Sequence, residues 1–319
     1  MTSYDAVLVI GFGGPEKHEE VLPFLENVTR GRGVPRERLL GVAEHYYHFE
    51  GKSPINDQVR ALVAALRVVV SLPVYWGNRN WHPMLADTVR QMRADGVRRA
   101  VAVATSAFSS YSACRQYLEN IADARAEVGE GAPMVDKIPP YWHHAGFLAA
   151  MADRVRDVLM PGAELIFTAH SIPVSMASTS RYEEELREAS GLIAARVGHE
   201  GWSLAWQSRS GSPMQPWLEP DINDFLRARP DPSRPVVIVP VGFLSDHIEV
   251  LWDLDNEARA TCEELGTPMM RAGTVGTHPA FIAALRELIV TPIAPCAEGC
   301  CPRPPGRHER GAVGGVVNR

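Results

Sequence analysis

The sequence predicts an α/β fold made of two similar doubly wound, Rossmann-like units with parallel sheets. Three observations carry this expectation. Short apolar runs rich in β-branched residues end in small or polar residues, amphipathic stretches at helical spacing separate them, and the alternation recurs in both halves of the 319 residues. At roughly 100–200 residues per domain, that length suits about two domains.

The expected strands are AVLVI (6–10), LPVYWGN (72–78), VAVATSAF (101–108), ELIFTAH (164–170), WSLAWQS (202–208) and PVVIVPVGFL (235–244). Their apolar character is continuous rather than alternating, as suits strands covered on both faces. Helical spacing predicts helices over 82–96, 181–198 and 247–266, each closing in Gly. The paired prolines of IPPYWHHAGF (138–147) interrupt regular structure and mark a break. The expected units are 1–137 and 138–278, with a helix at about 279–291 packing back on the first unit. A cysteine-containing extension and tail, 292–319, follows, its part after Pro302 expected to be disordered.

Composition narrows the function. The formal charge is -6 with both signs mixed, so no basic surface for nucleic acid is expected. Hydrophobic residues make up 45 %, enough for a real core. No stretch reaches the roughly 18 apolar residues of a membrane span. The N-terminus lacks a basic leader region and reads as a first strand, so a cytoplasmic protein is expected.

In open parallel sheets, ligands gather beyond the carboxyl ends of strands. GFGGPE (11–16) follows the first strand. It is either a tight turn that lets something flat approach the backbone or a phosphate cradle, and Pro15 removes an N–H that an anion would use. His170 closes the run ELIFTAH. It is either a structural histidine or an imidazole placed to bind a metal or accept a proton. Glu249, Asp253 and Glu257 recur at every fourth position of SDHIEVLWDLDNEA (245–258), either as a solvated stripe or as a row for a divalent cation. Of the five cysteines, Cys296, Cys300 and Cys301 are clustered, which favours Zn2+ or an iron–sulfur cluster. Cys114 or Cys262 would complete the set; Cys262 sits in a helical pattern and reads as a buried apolar residue, so Cys114 is better placed.

Together the strings GFGGPE, HYYHFEGKSPIN, TAHSIPVSM, WQSRSG with PWLEP, and VPVGFLSDHIEVLWDLD resemble the ferrochelatase family, in family order. The resemblance implies a chelatase-like fold with an active-site cleft between the units. It implies a lyase of haem biosynthesis that inserts Fe2+ into a porphyrin. The cysteines resemble those of actinobacterial members with a [2Fe-2S] cluster, a branch that metallates coproporphyrin III to coproheme rather than protoporphyrin IX. On that reading Cys114, Cys296, Cys300 and Cys301 hold the cluster. A downstream coproheme decarboxylase is an expected partner and a monomer the expected state.

By position, the resemblance makes His170 and Glu249 the catalytic and Fe2+-binding pair, flanking the macrocycle from opposite sides. Asp253 and Glu257 become an acidic relay for metal or protons. Phe12, Arg30, Tyr46, Ser53 and Tyr117 become porphyrin contacts. Phe12 stands where Firmicute members carry a tyrosine able to ligate metal from below, so that contact is absent here. The rivals are a protoporphyrin IX chelatase, a cobalt chelatase of corrin synthesis, an iron–sulfur redox or iron-sensing protein, and a two-lobed iron-binding protein.

Overall fold

The computed structural model describes residues 4–31, 33–211, 214–294, 296–297 and 299–304. The expectation of a disordered tail falls mostly on residues outside that set. Two parallel four-stranded sheets organise the chain. The first is ordered β2-β1-β3-β4, with β1 Ala6–Gly11, β2 Val74–Asn78, β3 Arg99–Ala104 and β4 Met134–Lys137. The second repeats that order as β6-β5-β7-β8, with β5 Glu164–His170, β6 Trp202–Gln207, β7 Val236–Val239 and β8 Met269–Arg271. All pairings are parallel.

Around the first sheet lie α1 Val21–Val28, α2 Arg36–His48, α3 Ile55–Val69, α4 Leu85–Ala94, a π-helical turn Tyr111–Arg115 and α5 Gln116–Val128. Next comes α6 Ala145–Arg156. The second sheet is covered by α7 Val174–Ala177, α8 Tyr182–Arg196, α9 Ile222–Arg227, α10 Ile248–Val250, a π-helical segment Leu251–Ala258 and α11 Arg259–Leu265. The last helix, α12 Pro279–Val290, packs on both α3 and α6.

The six strands read from the sequence exist, with shifted ends. β3 stops at Ala104 and the chain then turns, its Thr105 N–H bonding Ile10 O. β7 stops before Pro240, which cannot donate to a ladder. The short β4 and β8 were not expected; they are edge strands, MVDK and MMR, with little continuous apolar sequence.

The segment 247–266 departs most from expectation. It is a turn of α-helix, then a π-helix, then α-helix again. The reason is legible in its buried face. Val250, Leu254, Ala258 and Cys262 are all sealed in one apolar cluster. They recur at every fourth position, a longer period than the 3.6 residues of an α-helix, so part of the segment widens to keep them in line. The acidic row runs one residue ahead of that stripe and is carried along the same edge.

Specific polar ties join the two units and brace the second. Glu185 of α8 is buried and accepts the Ser109 N–H at 2.7 Å, joining the second unit to the turn beyond β3. Asp246 N–H donates to Gln58 of α3 at 2.9 Å. Arg271, at the end of β8, forks onto Asp255 at 2.7 and 2.8 Å and reaches Asp246 at 3.0 Å, fixing the π-helical segment to the sheet.

Gly242, just beyond β7, is pressed against β5. A Cβ there would stand 2.5 Å from the Ala169 Cβ, beside His170. Gly242→Ala should therefore destabilise the fold by about 1–3 kcal/mol through overpacking. Urea unfolding checks this; an unchanged midpoint would show that the β5 end yields freely.

Candidate active site

The strands' carboxyl ends bring the chemistry together. Phe12 follows β1 and His170 ends β5, equivalent places in two sheets of the same strand order. α2 reaches over from the first unit. Its His45 ring stacks on Trp252 with centroids 4.1 Å apart and 9° between planes. Its Arg38 donates to Ser210 O at 2.9 Å. These contacts fasten α2 to the second unit.

Glu249 is the centre. His170 Nε2 lies 3.6 Å and His247 Nε2 3.4 Å from its Oε2. Burial pushes the carboxyl up, but the His247 hydrogen bond and the charges of His170, His247 and His45 outweigh it and hold it at about 2. The side chain is still 43 % accessible, so it is ringed by protein yet open on one side.

His170 Nδ1 is 2.5 Å from Ser171 O, which can only accept, so Nδ1 carries the proton. Nε2 is the nitrogen facing Glu249, so a proton taken up there turns the pair into an ion pair, the charge interaction that lowers Glu249. The Tyr182 hydroxyl donates to His170 O at 3.0 Å and steadies the strand end.

This corrects the expected placement of the pair. A flat ring between two groups needs two van der Waals contacts of about 3.5 Å each, so about 7 Å in all. At 3.6 Å, His170 and Glu249 are in direct reach and leave no room for a ring between them. Burial by itself would raise the Glu249 carboxyl; three imidazoles reverse that direction.

Asp253 is the acid that moves up. Burial is the main cause, the nearby Glu249 and Glu257 charges add to it, and it sits at about 7 despite hydrogen bonds from Ser208 and Gln207. Ser208 has φ 61°, a left-handed backbone that a non-glycine residue adopts at a cost, and its Oγ donates to Asp253 Oδ2. Glu257 is exposed at the rim, where Trp252 Nε1 donates to it at 2.9 Å. Trp252 is thus engaged with both His45 and Glu257.

Of the expected porphyrin contacts, Phe12 and Tyr46 join one aromatic wall. Phe24 lies between them, 6.4 Å from Phe12 and 5.9 Å from Tyr46. Tyr46 is close enough to Glu249 for the carboxylate to raise its pKa further, on top of the larger rise from burial. Ser53 and Tyr117 are sealed inside, 3 % and 4 % exposed, and Arg30 lies on the surface.

The cysteines meet pairwise. Cys301 is buried, and burial, then Cys114 and Cys300, push its thiol up to about 12. Cys296 is raised by burial and by its hydrogen-bonded neighbour Cys300. Cys262 lies apart in the second unit's apolar cluster, its thiol raised to about 11 mainly by burial. Among the described residues, no group of three or more His, Cys, Asp or Glu side chains forms a ready cage for one ion.

Sequence reasoning missed His45, His247, Gln207 and Ser208. His247 was legible, two residues before Glu249 in the same motif. Gln207 and Ser208 were legible as the carboxyl end of β6. His45 carried no signal, because only the tertiary fold brings α2 across.

Residues 4–292 match the family model described as Ferrochelatase. The chain belongs to the ferrochelatase family. It is 53 % identical over 299 residues to a ferrochelatase of Rhodopirellula baltica, covering 90 % of this chain and 85 % of that one. It is 52 % identical over 293 residues to a coproporphyrin III ferrochelatase of Mycobacterium avium, covering 90 % and 87 %. It is 47 % identical over 364 aligned positions to a coproporphyrin III ferrochelatase of Streptomyces coelicolor, covering 98 % and 96 %. In fold it is similar to the sirohydrochlorin chelatase SirB of Bacillus subtilis, with TM-score 0.58 at 12 % identity over 90 % of this chain and 96 % of that one. The chelatase-like α/β fold thus holds. No helix among the described residues is long and apolar enough to cross a membrane.

Asp253 also sets a pH dependence of stability. Its folded pKa is about 7 against 3.8 unperturbed. Between those values the native state binds more protons than the unfolded one, so stability falls as pH rises through the window. Asp253→Asn should therefore lose less stability than the parent between pH 4 and 7 in urea titrations; parallel curves would contradict the raised acid.

Proposed function

We propose that the chain inserts Fe2+ into coproporphyrin III, forming coproheme, with the porphyrin seated between the aromatic wall and the His170–Glu249 pair. The observation that carries this reading is the 3.6 Å approach of His170 Nε2 to Glu249 Oε2, an imidazole beside an ionised carboxylate that stays 43 % accessible. The names of the relatives support coproporphyrin III as the ring. Protoporphyrin IX is the second reading, since the Rhodopirellula relative is named without a ring preference.

Metallation exchanges two pyrrole protons for one dication. An imidazole nitrogen with a carboxylate oxygen beside it is a suitable pair of donors for Fe2+, a borderline cation. Glu249 stays ionised and supplies fixed negative charge where the dication arrives. His170 Nε2, with its proton on the far nitrogen, is free to receive the metal or a pyrrole proton. Asp253, poised near neutrality, takes up the released proton and passes it toward Glu257 at the rim. Phe12 and Tyr46, backed by the buried Phe24, provide the apolar face, and Phe12 offers no ligand from that side.

The four thiols of Cys114, Cys296, Cys300 and Cys301 suit a [2Fe-2S] cluster in their chemistry. A buried thiol raised to about 12 is one that a bound cation would convert to thiolate. Such a cluster would supply an additional tether for the extension. A coproheme decarboxylase taking the product is consistent with the same reading.

Side-by-side turnover with coproporphyrin III and protoporphyrin IX under anaerobic Fe2+ tests the assignment; preference for the latter would overturn the ring choice. His170→Ala should abolish metal insertion while porphyrin still binds, and Glu249→Gln should lower kcat by about 100-fold or more with KM little changed. Normal turnover by either variant would refute the site. Cys300→Ser should bleach visible absorption in anaerobically isolated protein, and a colourless parent would remove the cluster.

A further inference from the structure

The geometry points to Arg79 as a positioning residue that couples the seat of the cysteine-bearing extension to the Phe12 floor of the ring slot. This rests on the reading that Phe12 lines that slot. Arg79 follows β2, and its N–H donates to Gly11 O at 3.0 Å while Asn80 N–H donates to Phe12 O at 3.1 Å. The main chain of 79–80 therefore sets the course of Phe12. The Arg79 guanidinium lies 4.4 Å from the Tyr117 ring centroid and 6.0 Å from that of Phe12, within reach of a cation–π contact on each. Its Nε donates to Asn120 Oδ1 at 2.7 Å and its Nη1 to Ser112 O at 3.2 Å.

Ser112, Tyr117 and Asn120 belong to the π-helical turn and the start of α5. The same segment carries the extension on a second stripe, one residue out of step. Arg115 donates twice to Cys300 O, at 3.2 and 3.1 Å. Arg303 reaches Glu119 Oε2 at 2.9 Å and covers the Tyr111 ring at 5.6 Å. Cys114 of that turn lies beside Cys301. The extension thus braces one side of residues 111–120, and Arg79 reads the position of the other. A planar fork is needed to bond two partners while stacking on rings, and a lysine ammonium cannot supply it.

The test is a double-mutant cycle on the full chain with Arg79→Lys, Arg303→Ala and both together. Coproporphyrin III affinity is read from porphyrin fluorescence quenching without iron, and kcat and KM from anaerobic Fe2+ turnover. Each single change should weaken porphyrin binding about fivefold, the loss falling on KM rather than kcat, and the double variant should lose less than the product of the two. Wild-type affinity in either single variant, or full multiplicativity in the double, overturns the coupling. Should Arg79→Lys not fold, as judged by circular dichroism, Asn120→Ala replaces it in the same cycle. Failure of the unmodified chain to bind or metallate coproporphyrin III is a separate result, visible before any variant is compared, and sinks the substrate reading instead.

Discussion

The site depends on one electrostatic constraint: a carboxylate crowded by protein must be kept ionised. Burial alone would raise the pKa of Glu249. Three imidazoles reverse that balance, and they come from three different parts of the chain. His170 arrives at the end of β5, His247 on the turn after β7, and His45 on a helix of the other unit. The fold must therefore hold α2 across the cleft, and the His45–Trp252 stack and the Arg38 bonds to the 210–211 backbone do so.

The acidic row shows how position divides labour among like groups. Glu249 is held low by the His247 hydrogen bond and the neighbouring imidazoles, Asp253 is raised by burial and by its two acidic neighbours, and Glu257 lies at the surface. Environments that separate the pKa values of adjacent acids separate their roles. A fixed negative charge attracts the dication, and an acid near neutrality exchanges protons. The widened helix is what places all of them along one edge while its apolar stripe stays buried.

The aromatic wall and the thiol extension meet at the segment 111–120. That segment is short, begins with a π-helical turn, and is held from both sides by arginines: Arg79 toward the wall, Arg115 and Arg303 toward the extension. Guanidinium forks suit this place because each can bond carbonyls or carboxylates in its plane and cover a ring with its face.

Much of this was legible in the linear chain. Apolar runs marked six strands, the strand-end rule marked His170, and the four-residue recurrence marked both the acids and, in hindsight, the π-helix. Local sequence determined these because backbone hydrogen bonding and burial of one face act over a few residues. What only the tertiary structure decided is how distant groups combine. It put His170 and Glu249 side by side rather than across a ring, lowered one acid and raised its neighbour, brought His45 from the other unit, and buried Ser53 and Tyr117. Charge interactions and desolvation act through space, so their balance is set only once the two units close on each other.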